Sequence, residues 1–191
     1  MTTLRVLPDL GAIPRADWDA LAPGRNPFVS HDFLAGLERH GCLRERLGWR
    51  PHHLGLWDGD TLVAAVPAYR KANSHGEFVF DHAWADAYER AGGKYYPKLL
   101  VAVPFTPVPG ARLLVRPGID VAQMQRRLID ALLGETERLR LSSLHVTFCR
   151  EDEWGHFAEA GLLTRTGTQY HWFNRGYATF DDYLASLKSS K

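Results

Sequence analysis

Between His53 and Arg70 the chain carries two extended runs, His53 to Trp57 and Thr61 to Arg70, on either side of Asp58-Gly59-Asp60. A short Asp/Gly segment between such runs favours a tight hairpin turn. The chain is therefore committed early to an antiparallel strand pair, and everything that follows must pack on it. Pro67, inside the second run, cannot donate a ladder hydrogen bond and marks an edge, a bulge or the end of that run.

Around the hairpin the pattern alternates between strands and helices. Thr3 to Leu7 reads as a short strand, and Pro14 opens a helix with the apolar spacing Trp18, Leu21. Ser30 caps a second helix, with Val29 before the cap able to staple to Leu34 and Gly41 as the stop. From Asn73 to Gly110 aromatics, acids and prolines crowd together. Here we expect a strand at Glu77 to Phe80, a helix near Ala83 to Ala91, a strand at Lys98 to Val103, and an irregular loop set by Pro104, Pro107 and Pro109. Arg112 to Val115 reads as a further strand. A long helix from about Asp120 to Arg140 repeats Val121, Met124, Leu128, Ala131, Leu132 and Leu139 at helical spacing. Leu144, Val146 and Phe148 alternate with His145, Thr147 and Cys149, as a strand does. A helix at Asp152 to Ala160, a strand at Thr168 to Phe173 and a capped helix from Thr179 complete the series. That last helix carries Phe180, Tyr183, Leu184 and Leu187 on one face and has no stop signal up to Lys191, so a longer chain is expected to continue from it.

The order implies an α/β (α+β) fold, one mixed central sheet with helices on both faces. At 191 residues, 45% hydrophobic, a sizeable core needs no disulfide staples. The formal charge of +1 gives no electrostatic case for DNA binding and argues mildly against tRNA. Cys42 and Cys149 have no CxxC spacing and read as structural thiols, which fits a cytoplasmic protein. No run is long and apolar enough to span a bilayer. The chain contains no GxSxG, HExxH or Walker-type loop, which removes the main support for serine hydrolase, zinc protease and P-loop readings. His82 and Asp86 lie four apart on one helix but lack a third ligand, and His52-His53 stands equally alone, so no metal is expected.

The element order is similar to the acyl-CoA N-acyltransferase (GNAT) fold, from Leu54 to Phe173. Four segments make the resemblance more specific: Asn26-Pro27-Phe28, Phe80-Asp81-His82-Ala83-Trp84-Ala85-Asp86-Ala87-Tyr88, Tyr95-Tyr96-Pro97-Lys98-Leu99 and Tyr170-His171-Trp172-Phe173-Asn174-Arg175-Gly176. Together they resemble the FemAB-like family of N-acyltransferases, whose members are described as peptidoglycan biosynthesis or recognition proteins. The resemblance implies transfer of an acyl or aminoacyl group from a coenzyme A thioester or a charged tRNA to an amine on a small molecule or cell-wall precursor. It also implies two GNAT-like halves in tandem. Residues 1–178 would form the first, and 179–191 would begin the helix leading to a second, with self-association or pairing with such a half as the consequence.

Amine attack needs a proton acceptor, and carboxylates among aromatic side chains can be raised in pKa by desolvation. Asp81 is the leading candidate base and Glu77 the second, although Asp81 could equally cap the helix that follows it. Tyr96 and Tyr95 offer a phenolic acid for the leaving thiolate, and Lys98 a cation for an acidic substrate group. Trp84, Asp86, Tyr88 and His171 complete the candidate acceptor surface. Arg116 and Gly118, in Val115-Arg116-Pro117-Gly118-Ile119-Asp120, occupy the place of a phosphate-binding turn, but the spacing differs from the family pattern and Pro117 has no N–H. The alternative function is a non-catalytic recognition domain whose aromatic middle stretch binds a sugar, peptide or cell-wall precursor.

Overall fold

The computed structural model describes residues 2–22, 24 and 26–187. In chain order the elements are β1 (Thr3–Leu7), α1 (Arg15–Asp19), α2 (His31–Arg39), β2 (Trp49–Pro51), β3 (His53–Asp58), β4 (Thr61–Val66), β5 (Ala68–Lys71), α3 (His82–Arg90), β6 (Lys98–Val101), β7 (Leu114–Val115), α4 (Val121–Arg138), β8 (Leu144–Val146), α5 (Glu151–Glu159) and α6 (Phe180–Ser186). The hairpin forms as expected: β3 and β4 pair antiparallel from Asp58↔Thr61 to Leu54↔Val66, around Gly59 in the left-handed region.

Two four-stranded ladders result, β1-β3-β4-β7 and β2-β5-β6-β8, the second mixed because β6 and β8 run parallel. Their registers follow on from each other. Pro51 faces Tyr69 where Leu54 faces Val66, and Ala68 faces Val101 where Ala65 faces Leu114. Three successive sheet positions are thus interrupted at one level: at His52, at Pro67, and by the excursion 102–113 between β6 and β7. Pro67 is the chemical reason for the middle break, since it has no N–H to give. Local bonds close the gap: His52 N donates to Ala68 O at 2.8 Å, and Ala68 N donates to His53 Nδ1 at 3.1 Å. With Nδ1 accepting, the proton of His53 sits on Nε2, 2.7 Å from Glu38 Oε1.

Helices cover both faces. Leu54, Leu56, Ala64 and Val66 bury against Leu128 and Leu132 of α4 and Phe157 of α5. Trp57, Leu62, Ala65 and Leu114 lie in a second cluster with Trp18 of α1 and Leu34 of α2. Ser30 caps α2 by accepting from Phe33 N, and Asp120 caps α4 by accepting from Gln123 N at 3.0 Å.

Two expected strands do not form. At Glu77 to Phe80 the extended path is broken because Phe78 and Phe80 adopt φ of 59° and 51°, a left-handed conformation that no ladder accommodates. Residues 162–174, including the expected strand at Thr168 to Phe173, hold no helix or strand. Tyr170 stays 97% exposed, and the alternation in this stretch has no neighbouring edge to satisfy it. The strand expected to reach Val103 ends at Val101, and α6 ends at Ser186; the expectation for residues 188–191 falls outside the described residues.

Candidate active site

β5 and β6 place two lysines opposite each other, Lys71 against Lys98. Facing residues of an antiparallel pair project to the same side of a sheet. Here both ammonium groups enter the interior, and both residues are fully buried. Such a position is tolerable only where counter-charges meet it. The segment that crosses this face before α3 supplies them. Lys98 Nζ lies 2.7 Å from Asp81 Oδ2 and 2.9 Å from Glu77 Oε2, and it donates to Ser74 Oγ at 2.9 Å. Asp81 also accepts from Tyr95 Oη at 2.8 Å, and Ser74 Oγ shares a hydrogen bond with Tyr96 Oη at 2.8 Å. His145, on β8, completes the ring of groups with Nδ1 3.5 Å from Lys98 Nζ. Since an ammonium only donates, that contact leaves the imidazole proton on Nε2.

These distances decide the rival roles of Asp81. It stands at the residue before α3, yet its side chain makes no capping hydrogen bond; the carboxylate turns inward to Lys98 and Tyr95 instead. Burial pushes its pKa up, but the Lys98 ammonium and the Ser74 and Tyr95 hydroxyls outweigh burial and hold it well below the ordinary carboxylate range. This corrects the expectation of a raised pKa: Asp81 is an anion in all ordinary conditions and a poor proton acceptor. Glu77 shows the opposite result. Burial pushes its carboxyl up, with Lys98 only partly compensating, and neither of its oxygens accepts a directed hydrogen bond.

Other groups are moved in the same low-dielectric setting. Burial presses Lys71 down to about 7, opposed by the charge of Glu77. Its Nζ sits 3.5 Å from the centre of the Trp49 ring and donates to His75 O at 3.1 Å. Burial and the Lys98 charge push His145 down to about 4, so the ring is neutral near pH 7. Burial raises Tyr95 and Tyr96, Tyr95 further through its bond to Asp81. Glu77, Asp81 and His145 bring ligand atoms within 4.8 Å of one another, a donor set that could hold a cation. Lys98 already stands between the two carboxylates, so the ammonium fills that electrostatic role. The sequence reading passed over this trio because His145 lies on β8, 64 residues beyond Asp81 in the chain.

Strained backbone surrounds the cluster. Besides Phe78 and Phe80, Phe105 and Phe148 adopt φ of 57° and 52°. Each such bulky residue costs on the order of 1 kcal/mol or more and persists only where the surroundings impose it. Gly76 explains one of them: it is itself left-handed, its carbonyl accepts from Phe105 N at 3.1 Å, and a side chain there would strike the Phe105 ring.

Of the residues singled out from sequence, Glu77, Asp81, Tyr95, Tyr96 and Lys98 come together. Trp84 and Tyr88 lie on one exposed face of α3, 64% and 51% accessible, and Asp86 is also exposed. Tyr88 touches the site through its edge contact with Tyr95, 6.3 Å between ring centres. His171 stacks on Phe173 in the exposed C-terminal stretch and joins none of the groups around Lys98. Arg116 and Gly118 sit before α4, but Arg116 Nε donates to Leu62 O at 3.0 Å and Asp120 occupies Gln123 N. With Pro117 lacking an N–H and a carboxylate at the helix start, this turn is poorly suited to a pyrophosphate. Sequence reasoning missed Ser74, Lys71 and the placement of His145; for Lys71 the available signal was its position in a run of otherwise buried strand residues.

Mixed strands carrying helices on both faces define an α/β architecture. Solved structures agree on the fold. Glucosamine-6-phosphate N-acetyltransferase from Arabidopsis thaliana aligns with TM-score 0.53 and 8% identity over 91% of this chain and 99% of its own. A possible acetyltransferase from Clostridium difficile 630 gives 0.53, 11%, 91% and 98% in the same order. Ribosomal-protein-alanine N-acetyltransferase from Brucella melitensis biovar Abortus 2308 gives 0.50, 14%, 91% and 100%. Residues 9–191 match the model of the FemAB-like family, described as peptidoglycan biosynthesis/recognition, and the chain belongs to that family. No curated protein gives a significant match.

Proposed function

We propose that the protein is an N-acyltransferase whose chemistry is organised by Lys98. The observation that carries this reading is the buried Lys98 cluster, which reaches the half-buried Tyr96 hydroxyl through Ser74. An amine attacks the donor carbonyl, forming the C–N bond, and the tetrahedral intermediate then expels the thiolate of a coenzyme A donor or the ribose oxygen of a charged tRNA. Tyr96 gives its proton to that leaving group. Ser74, which accepts from Lys98, passes a proton on to Tyr96. The proton lost by the amine replaces the one that Lys98 gives to Ser74, so Lys98 returns to the ammonium form, and Glu77 serves as its counter-charge. Asp81 is the fixed anion that holds Lys98 and Tyr95 in place, and neutral His145, with its proton on Nε2, steadies the oxyanion. Acyl-CoA is supported by the fold, and the acceptor class, a cell-wall precursor amine, by the family.

The test is thiol release from acyl-CoA donors in the presence of amino-sugar and amino-acid acceptors. Tyr96→Phe should lower kcat by about 100-fold or more, in the range of a lost general acid, while the melting temperature moves by only a few degrees. Absence of turnover with every donor and acceptor, joined to absence of donor binding in calorimetry, would remove the proposal. One observation favours a second reading, a recognition surface: Phe80, Trp84 and Tyr88 are all more than half exposed. Binding of a precursor without turnover, abolished by Trp84→Ala, would establish it. The division at residue 178, with 179–191 opening a second GNAT-like half, belongs to this proposal too and draws support from the exposed Phe180 and Leu184 of α6.

A further inference from the structure

At the ends of β2 and β5 lies a feature that the transferase reading does not use. Side chains alternate along a strand, so Arg70 projects away from the Lys71–Lys98 cluster. Its partner across the ladder is Arg50 of β2. Like charges placed opposite one another on neighbouring strands repel and destabilise the pair, and no close ion pair among the described residues fully offsets them. Arg70 makes no ion pair among the described residues, and its Nε is buried without a hydrogen-bond partner. Arg50 reaches only Glu45, at 3.9 Å, on a side chain 84% exposed. The cations nearby are not available as substitutes: Arg138 makes two 2.8 Å bonds to Glu135, which also takes the 2.9 Å bond to His52.

Between these residues, at the ends of β2 and β5, is a hollow of about 70 Å³, walled by Glu45, Gly48, Trp49, Arg50, Arg70, Lys71, Ala72 and Pro97. About 10–15 Å³ of such space holds one water, so the hollow has room for a tetrahedral oxyanion. We propose that this hollow binds a phosphate group, the dianion seated between the Arg50 and Arg70 guanidiniums. Two facing guanidiniums match a doubly charged phosphate better than a singly charged carboxylate, and their planar donor forks suit its oxygens. Glu45 at the rim is the one opposing charge, and its exposure lets it swing away.

Inorganic phosphate titrated into the full chain, followed by calorimetry and by ³¹P line broadening, tests the proposal independently of turnover. Phosphate should bind, about tenfold or more weaker in Arg50→Gln and in Arg70→Gln, as expected for loss of a charge-assisted contact. It should bind unchanged in Arg126→Gln, an exposed arginine of α4 outside the hollow. Acetate should bind far more weakly than phosphate. Should Arg70→Gln fail to fold, Arg50→Gln decides, because its side chain is 58% exposed and tolerates replacement. Phosphate binding that survives the hollow substitutions, that falls equally with Arg126→Gln, that is matched by acetate, or that is absent altogether overturns the assignment.

Discussion

At the residue scale the protein turns on how two buried lysines are balanced. Removing Lys98 strands two carboxylates in the interior, so Lys98→Met should cost about 3–5 kcal/mol, measured as a lower urea midpoint at unchanged slope. A double variant that also carries Glu77→Gln should recover part of the loss. The acid limb of stability belongs to Asp81. Its folded pKa lies below the ordinary 3.8, so its contribution is complete above that value and is lost as pH falls through the folded pKa. Asp81→Asn should flatten that limb and leave the neutral region parallel to wild type. Lys71 acts with the opposite sign. Its pKa is lowered from 10.5 to about 7, so the unfolded chain binds more protons across that interval and stability rises with pH through it. Lys71→Met should remove that rise in a pH series of thermal melts. The carboxylates and tyrosines were legible in the sequence as a group because they crowd into one stretch. Their division of labour was not, since a pKa follows from who stands within 3 Å, and Lys98 and Ser74 are brought there only by the ladder.

At the scale of elements, the excursion 102–113 is held by one residue that no local pattern announces. Arg112, fully buried, donates to the carbonyls of Val108, Gly110, Ala111 and Thr147 at 3.0–3.2 Å. Glu153 of α5 accepts from the backbone N–H groups of Arg112, Leu113 and Arg150 at 2.7–3.2 Å. Together they supply partners for a loop that would otherwise bury unpaired backbone. Arg112→Met leaves four carbonyls without donors and should cost about 3 kcal/mol or more, read from chemical denaturation. The elements with strong local signals, the hairpin, the Ser30-capped α2 and the long α4, were readable in advance. Glu77 to Phe80 was misread because apolar alternation says nothing about the sign of φ, and Thr168 to Phe173 because alternation describes a strand only where an edge exists to receive it.

At the scale of the whole molecule, the two covered faces make a firm centre and leave one stretch outside it. Hydrogen exchange should show amides of β3, β4 and α4 protected for far longer than those of residues 162–174, which belong to no element; equal rates would contradict the packing described. The overall α/β class was within reach of sequence because the order of elements restricts topology severely. The common level of the breaks at His52, Pro67 and 102–113 was not, because it exists only in the register between strands. The alternation along β5 has a last consequence. Lys71 and Arg70 are chain neighbours whose side chains leave the strand in opposite directions, yet both line the hollow, so the lysine cluster and the arginine hollow meet at Lys71. A ligand held by the arginines therefore presses on one of the buried lysines, and occupancy of one compartment becomes tension felt in the other.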